Sequence, residues 1–256
     1  MEIVDIHCHI LPNVDDGPAT MEEALEMARR ANTSGVTDLV VTPHLFHPQF
    51  DTETINVEHE MNELQRTLDA EKIVLRLHSG NEVRISGDVL DELDQGNVRT
   101  LGNSRYVLIE FPHQTVPSYT ESLFFGLQIA GYVPVIAHPE RNQQLLIEPE
   151  RLYRFASAGS LSQVTTASVA GHFGRHTQEM ALVFLRHQLS QLIASDAHNS
   201  SSRAFFWEEA VAVLNKELGV KWTGKILHNS ESVLKDEVIL VDDLNMPKKN
   251  WLGKWK

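Results

Sequence analysis

The sequence predicts an α/β barrel of seven strand-and-helix units, related to the eight-unit parallel barrel. Short apolar runs alternate with amphipathic segments along nearly all of its 256 residues, the pattern of parallel βαβ units. An open parallel sheet would show the same alternation. The second observation favours the barrel: ligand-type side chains recur where a strand gives way to the next loop, the rim on which such barrels carry their sites. The length fits one domain, because barrels of about 200 to 250 residues form single cores.

The expected first strand, Ile3–His9, ends on His7 and His9 and leads to a helix over Met21–Ser34, whose EEALEMARRA run is charged on one face and apolar on the other. Asp38–Thr42 leads to His44 in VVTPH and a helix over Glu53–Glu71. Ile73–Leu77 precedes Glu82 in HSGNE and a helix over Asp88–Leu93. Tyr106–Glu110 ends on Glu110 and is followed by a helix over Ser118–Ala130. Val133–Ala137 leads to His138 in VIAHPER, and a helix covers Pro149–Ala158. Ser162–Thr166 supplies no obvious ligand before a helix over Thr177–His187. Gln191–Ser195 leads to Asp196 and His198 in IASDAH, with a helix over Ala204–Leu218 behind it. One domain is expected over residues 1–240, with a basic Trp/Lys tail over 241–256.

The formal charge of −13, from 22 Lys and Arg against 35 Asp and Glu, opposes general attraction to nucleic-acid backbones. One cysteine cannot form an internal disulfide, which fits a reducing compartment. No apolar run approaches the roughly 18 residues of a membrane span, and no basic-then-apolar leader opens the sequence. A cytoplasmic location is expected.

In an extended strand side chains alternate, so His7 and His9 share a face and Cys8 takes the other. Asp196 and His198 repeat that geometry. With His44, His138, Glu82 and Glu110 they form a set of imidazoles and carboxylates suited to Zn, Mn or Fe rather than to a thiolate or all-oxygen calcium site. That many donors would over-supply one ion, so two or three are expected. Asp16, in the turn after the first strand, is a further candidate; Asp15 is set aside because neighbouring residues seldom face one ion. Three divalent ions among four carboxylates and one hydroxide would leave about one positive charge, which suits an anionic phosphate ester. Arg141 in HPER and Arg203 could fork onto its oxygens. The opposite reading of Cys8, as a phosphatase nucleophile, needs an arginine after five intervening residues, and Val14 stands there. His47, His59, His78, His172, His176, His187 and His228 read as ordinary residues, and His113 as lying near the mouth.

Taken in order, DIHCHILP with DDGP, TPH, GNEVR, IEFP, AHPER and SDAHN closely resemble the polymerase and histidinol phosphatase (PHP) superfamily. Within it they resemble the bacterial CpsB/YwqE-type protein-tyrosine phosphatases of capsule and exopolysaccharide synthesis, over about Met1 to Leu234. The resemblance implies a distorted (β/α)7 PHP barrel with a trinuclear centre, most often manganese, with iron, zinc or cobalt as alternatives. It implies metal ligation by His7, His9, Asp16, His44, Glu82, Glu110, His138, Asp196 and His198, and phosphate binding by Arg141 and Arg203. The implied substrate is phosphotyrosine on the tyrosine-rich tail of a cognate bacterial kinase. The PKKNWLGKWK tail, with lysines and tryptophans and no acid, suits peripheral contact with an anionic membrane face or with that kinase. The rivals are a small-molecule phosphatase such as one for histidinol phosphate, a phosphodiesterase, an amidohydrolase, which would need a strand-end lysine, and a non-catalytic kinase adaptor.

Overall fold

The computed structural model describes residues 2–50, 52–249 and 255. The C-terminal tail is therefore described only through Lys249 and at Trp255; its other residues, 250–254 and 256, lie outside the described residues.

The strands are β1 (Ile3–Cys8), β2 (Val36–Val41) continued by β3 (His44–Leu45), β4 (Arg76–Ser79) continued by β5 (Glu82–Arg84), β6 (Tyr106–Glu110), β7 (Val133–Ala137), β8 (Leu161–Thr165) and β9 (Leu192–Ala194). All their ladders are parallel, in the orders β1-β2-β4 and β3-β5-β6-β7-β8-β9. Past β9 the chain pairs back onto β1: the Asp196 amide donates to the His7 carbonyl and the His9 amide to the Ala197 carbonyl, both at 2.9 Å. The strands thus close in chain order into the seven-unit (β/α) barrel.

Helices α1 (Met21–Thr33), α2 (Val57–Ala70), α3 (Val89–Asp94), α4 (Thr120–Ile129), α5 (Gln143–Ile147), α6 (Pro149–Ser157), α7 (Thr166–Ala170), α8 (Arg175–Arg186), α9 (Trp207–Glu217) and α10 (Val220–Leu234) complete the fold. Helix α1 starts where Thr20 caps it, accepting from the Glu23 amide at 3.2 Å. Strand alternation sorts the core. Ile6, Val40, Leu108, Val135, Leu161 and Leu192 fill the barrel. Val107, Ile109 and Ile136 turn outward to meet Phe124 and Leu127 of α4. The inward parity of Leu108 and Leu161 carries on along each strand to Glu110 and Gln163, and Asp196 follows just past the end of β9, which places these polar groups at the C-terminal rim.

Four departures from the sequence reading have local causes. The third strand runs over Arg76–Ser79 rather than Ile73–Leu77, because the Gln65 side chain ties the Leu75 carbonyl and the Leu77 amide to α2. Helix α2 begins at Val57, not Glu53, where Asn56 accepts from the His59 amide. Thr166 is helical rather than extended, because the Thr165 hydroxyl caps α7 by accepting from the Ser168 amide at 3.2 Å. Helix α10 was not foreseen. Its buried face mixes Ile226 and Val233 with Thr223, Asn229, Ser230 and Ser232, which dilutes the apolar period. Asn229 donates to the Gln191 carbonyl at 2.9 Å and so holds this helix against the barrel. The following segment straps the far end: Arg105 bonds Asp236 at 2.9 Å, the Tyr106 hydroxyl donates to the Glu237 carbonyl at 2.5 Å, and Ile239 and Val241 pack on the inner core.

Candidate metal centre

The rim gathers every side chain that the sequence singled out as a metal ligand. His9, Asp16, His44 and His198 form one group, His7, His9, Glu82 and Asp196 a second, and His44, Glu82 and Glu110 a third, with donor atoms within 4.8 Å of one another in each. His138 joins them through Glu82 Oε1, 2.8 Å from its Nε2. Glu82 is the hub: its Oε2 lies 3.4 Å from His7 Nε2, 3.2 Å from His9 Nε2 and 3.1 Å from His44 Nδ1. Asp196 Oδ1 faces His7 Nε2 at 3.3 Å and His9 Nε2 at 3.6 Å. Asp16 Oδ1 faces His198 Nε2 at 3.0 Å and His44 Nε2 at 3.5 Å. His138 and Asp196 reach inward from left-handed backbone, φ 33° and 51°, a strain that recurs where side chains must be aimed.

Arg141 and Arg203 stand at the same mouth. Both guanidinium groups pair with Asp196 Oδ2, and Arg203 also bonds Asp16 Oδ2 at 3.0 Å. Together with His44, His47, Phe50, Glu82, Glu110 and His138 they line a cavity of about 140 Å³.

The electrostatics are those of closely packed opposite charges. Burial raises the Asp196 carboxyl, but Arg141, then His7, His198 and Arg203, hold it well below the usual carboxylate range. Glu82 is likewise held low against burial, by His7 and His44. Glu110 is pushed up to about 7 by burial and by the charge of Glu82, although Arg84 sits 2.8 Å away. Burial and Arg141 push His138 down to about 4, and burial and His9 do the same to His198.

His44 Nδ1, Glu82 Oε2, Asp196 Oδ1 and His198 Nε2 are buried and, despite polar neighbours at 3.0 to 3.6 Å, make no hydrogen bond of acceptable geometry. Orphaned buried polar atoms are costly and rare. These four belong to residues of the three groups, whose possible donors are all nitrogen and oxygen, so the residues present fit divalent metal ions of the Mn, Fe or Zn kind. Burial, then Asp5, raises the Cys8 thiol well above its ordinary value, and its sulfur donates to the Ala197 carbonyl at 3.4 Å away from the cluster. It stays protonated and is a poor nucleophile.

The structure also supplies what residue types alone did not. Asp15, set aside as a ligand, grips His9 Nδ1 with Oδ2 at 2.7 Å and accepts from the His44 amide at 3.0 Å. Gln163, on the strand that offered no ligand, faces His7 Nδ1 at 2.9 Å with Oε1. Such partners fix which ring nitrogen is free for a metal. Glu140 in HPER is fully buried and accepts from the Thr165 amide at 2.8 Å, tying the arginine's loop to β8. His47 is not an ordinary surface residue: its ring stacks on His44 at 4.7 Å and on Phe50 at 4.9 Å, in the cavity wall. Only the loop containing Asp15 was flagged in the sequence, as an Asp-Asp-Gly turn; the partners of Gln163 and His47 carry no local signal. His113 is exposed and does not line this cavity.

Known proteins resemble this chain over most of its length. YwqE of Bacillus subtilis, a tyrosine-protein phosphatase, is 39% identical over 237 residues, 93% of each chain. CapC of Staphylococcus aureus is 35% identical over 253 residues, 98% of this chain and 99% of its own. The solved structure of YwqE, described with CpsB of Streptococcus pneumoniae as metal-dependent tyrosine phosphatases, superposes with a TM-score of 0.91 at 39% identity, over 93% of this chain and 96% of that one. Residues 3–235 match the family described as capsular polysaccharide synthesis, CpsB/CapC, and the chain belongs to that family.

Proposed function

We propose that the chain is a metal-dependent protein-tyrosine phosphatase that hydrolyses phosphotyrosine on a cognate bacterial tyrosine kinase and so regulates capsule or exopolysaccharide synthesis. The observation that carries the reading is the convergence of three buried His/Asp/Glu groups and two arginines on one small cavity. His7, His9, Asp16, His44, Glu82, Glu110, His138, Asp196 and His198 would hold two or three divalent ions, manganese first among them. Bound there, such ions lower the pKa of a water nucleophile and polarise the phosphoryl group.

The chain's own residues do the rest. Each guanidinium carries five N–H donors in a fixed fork, so Arg141 and Arg203 can hold phosphoryl oxygens while keeping a contact to Asp196. Asp15 and Gln163 hold His9 and His7 so that their Nε2 atoms face the centre. A phenolate leaving group, whose parent acid has a pKa of about 10, needs less help from a general acid than an aliphatic alkoxide does. The side chains of Arg141, Arg203 and Asp16 remain 27%, 29% and 32% exposed at the mouth, within reach of a residue carried on a protein tail.

The kinase tail would be met at the cytoplasmic face of the membrane, with the Lys- and Trp-rich C-terminus as a peripheral anchor. Deleting Pro247–Lys256 is expected to weaken liposome or kinase binding and to spare cleavage of small phosphoesters; unchanged binding removes the anchor. The function itself is tested with metal-reconstituted protein on a phosphotyrosine peptide, a phosphoserine peptide and histidinol phosphate. Preferred turnover of the tyrosine peptide is expected, and none with any divalent metal refutes the reading.

A further inference from the structure

We propose that an aromatic slot at the mouth, formed by Phe50 and His47 on the β3–α2 loop and by Phe173 on the α7–α8 loop, receives the aryl ring of the substrate and sets a preference for aryl over alkyl phosphates. This rests on the phosphatase reading above and adds to it the residues that read the group behind the phosphate.

Three rings are stacked on one wall of the cavity. The Phe50 ring lies 5.2 Å from that of His44 at an interplanar angle of 7°, and the His47 ring sits 4.7 Å from His44 and 4.9 Å from Phe50. Phe50 and His47 line the same cavity as the two arginines, so a ring ester-linked to a phosphate held there leaves past their faces. Phe173 stands over Arg141, its ring centroid 5.3 Å from the guanidinium carbon, yet 36% of the residue is exposed. It is presented there by the GHFG turn, in which Gly171 at φ 93° and Gly174 at φ 90° adopt backbone that side chains disfavour. The neighbouring His172 is pinned by stacking on Phe206 at 3.8 Å and by a 2.8 Å bond to Glu209, so the turn has a fixed seat.

A phenylalanine 36% exposed over the proposed phosphate-binding arginine leaves apolar surface uncovered. An incoming aryl ring would cover apolar surface and stack in the offset or edge-on geometry aromatic pairs favour. A phosphoserine cannot do this: its phosphate hangs one methylene from the backbone, which would bring polar peptide groups against these rings. A phosphotyrosine interposes a full ring between phosphate and backbone.

The test is calorimetric binding of phenylphosphonate and methylphosphonate, neither of which is hydrolysed, to the metal-loaded protein. The native protein should bind the phenyl compound more tightly. Phe173→Leu and Phe50→Leu, which keep apolar bulk, should each cut that phenyl advantage by about 3- to 10-fold, the worth of an aromatic pair. Phe173→Tyr, which keeps the ring, should retain it. A phenyl advantage unchanged in both leucine variants, or equal weakening of both phosphonates, overturns the slot. Turnover of a phosphotyrosine peptide by native protein separates the two claims: lost ring dependence with intact turnover sinks only the slot, whereas ring-dependent binding without turnover sinks only the phosphatase reading.

Discussion

Asp15→Asn is the most informative single change, because it leaves every proposed metal ligand in place. The native carboxylate accepts from three donors: the Gly17 amide on Oδ1 at 3.0 Å, and His9 Nδ1 at 2.7 Å and the His44 amide at 3.0 Å on Oδ2. Asparagine has one acceptor oxygen. If that oxygen faces His9 and His44, its NH2 confronts the Gly17 N–H; if it faces Gly17, two donors on the metal side are orphaned. The side chain is only 1% exposed, so water does not compensate freely. Loss of the charge also removes the partner that raises the His9 ring against the cost of its burial. Removing such a partner typically weakens metal binding about 10- to 100-fold, or about 1.4 to 2.7 kcal/mol. One buried unsatisfied amide costs about 1 to 3 kcal/mol of stability besides. Titrating manganese into chelator-treated protein by calorimetry, with thermal unfolding on the same samples, measures both. A manganese affinity within twofold of the native value in a folded variant would refute the reasoning that Asp15 sets the His9 tautomer.

Three further outcomes follow from other parts of the structure. Cys8→Ser should keep most phosphatase activity, measured as kcat/KM, because the thiol is protonated and faces away from the centre; a loss as large as that of His9→Ala would remove the metal-dependent mechanism. Metal affinity should fall as pH drops through about 7, because Glu110 is protonated below its raised value and must release that proton to ligate; the slope is at most about tenfold per pH unit for one proton, and a flat profile between pH 6 and 8 contradicts it. Asp5→Ala should lower thermal stability, since it orphans the Ser195 amide at 3.0 Å and Trp207 Nε1 at 2.9 Å in a fully buried site, each worth about 1 to 3 kcal/mol; an unchanged melting temperature would show that water or rearrangement fills the gap.

The sequence by itself determined which imidazole and carboxylate side chains gather and the rim they occupy. Strand periodicity is local, so the shared face of His7 and His9, the opposed Cys8 and the placement of Glu110 at a strand end were legible residue by residue. Spacing made a helix-covered parallel sheet legible, and the ligand-type residues recurring at strand ends favoured a barrel over an open sheet. Tertiary structure alone decided the rest. That Glu82 contacts His7, His9, His44 and His138 depends on four strands meeting in one register, across as many as 75 residues of chain. Gln163 looked inert until closure set it beside His7, 156 residues away. Helix α10 escaped the apolar period because part of what it buries is polar and bonded to the barrel's own carbonyls. Asp15 shows the limit most clearly. The rule that adjacent carboxylates seldom share an ion set it aside as a ligand. Only the fold could reveal that it holds His9, because a hydrogen bond between side chains depends on where two loops meet and on nothing local to either.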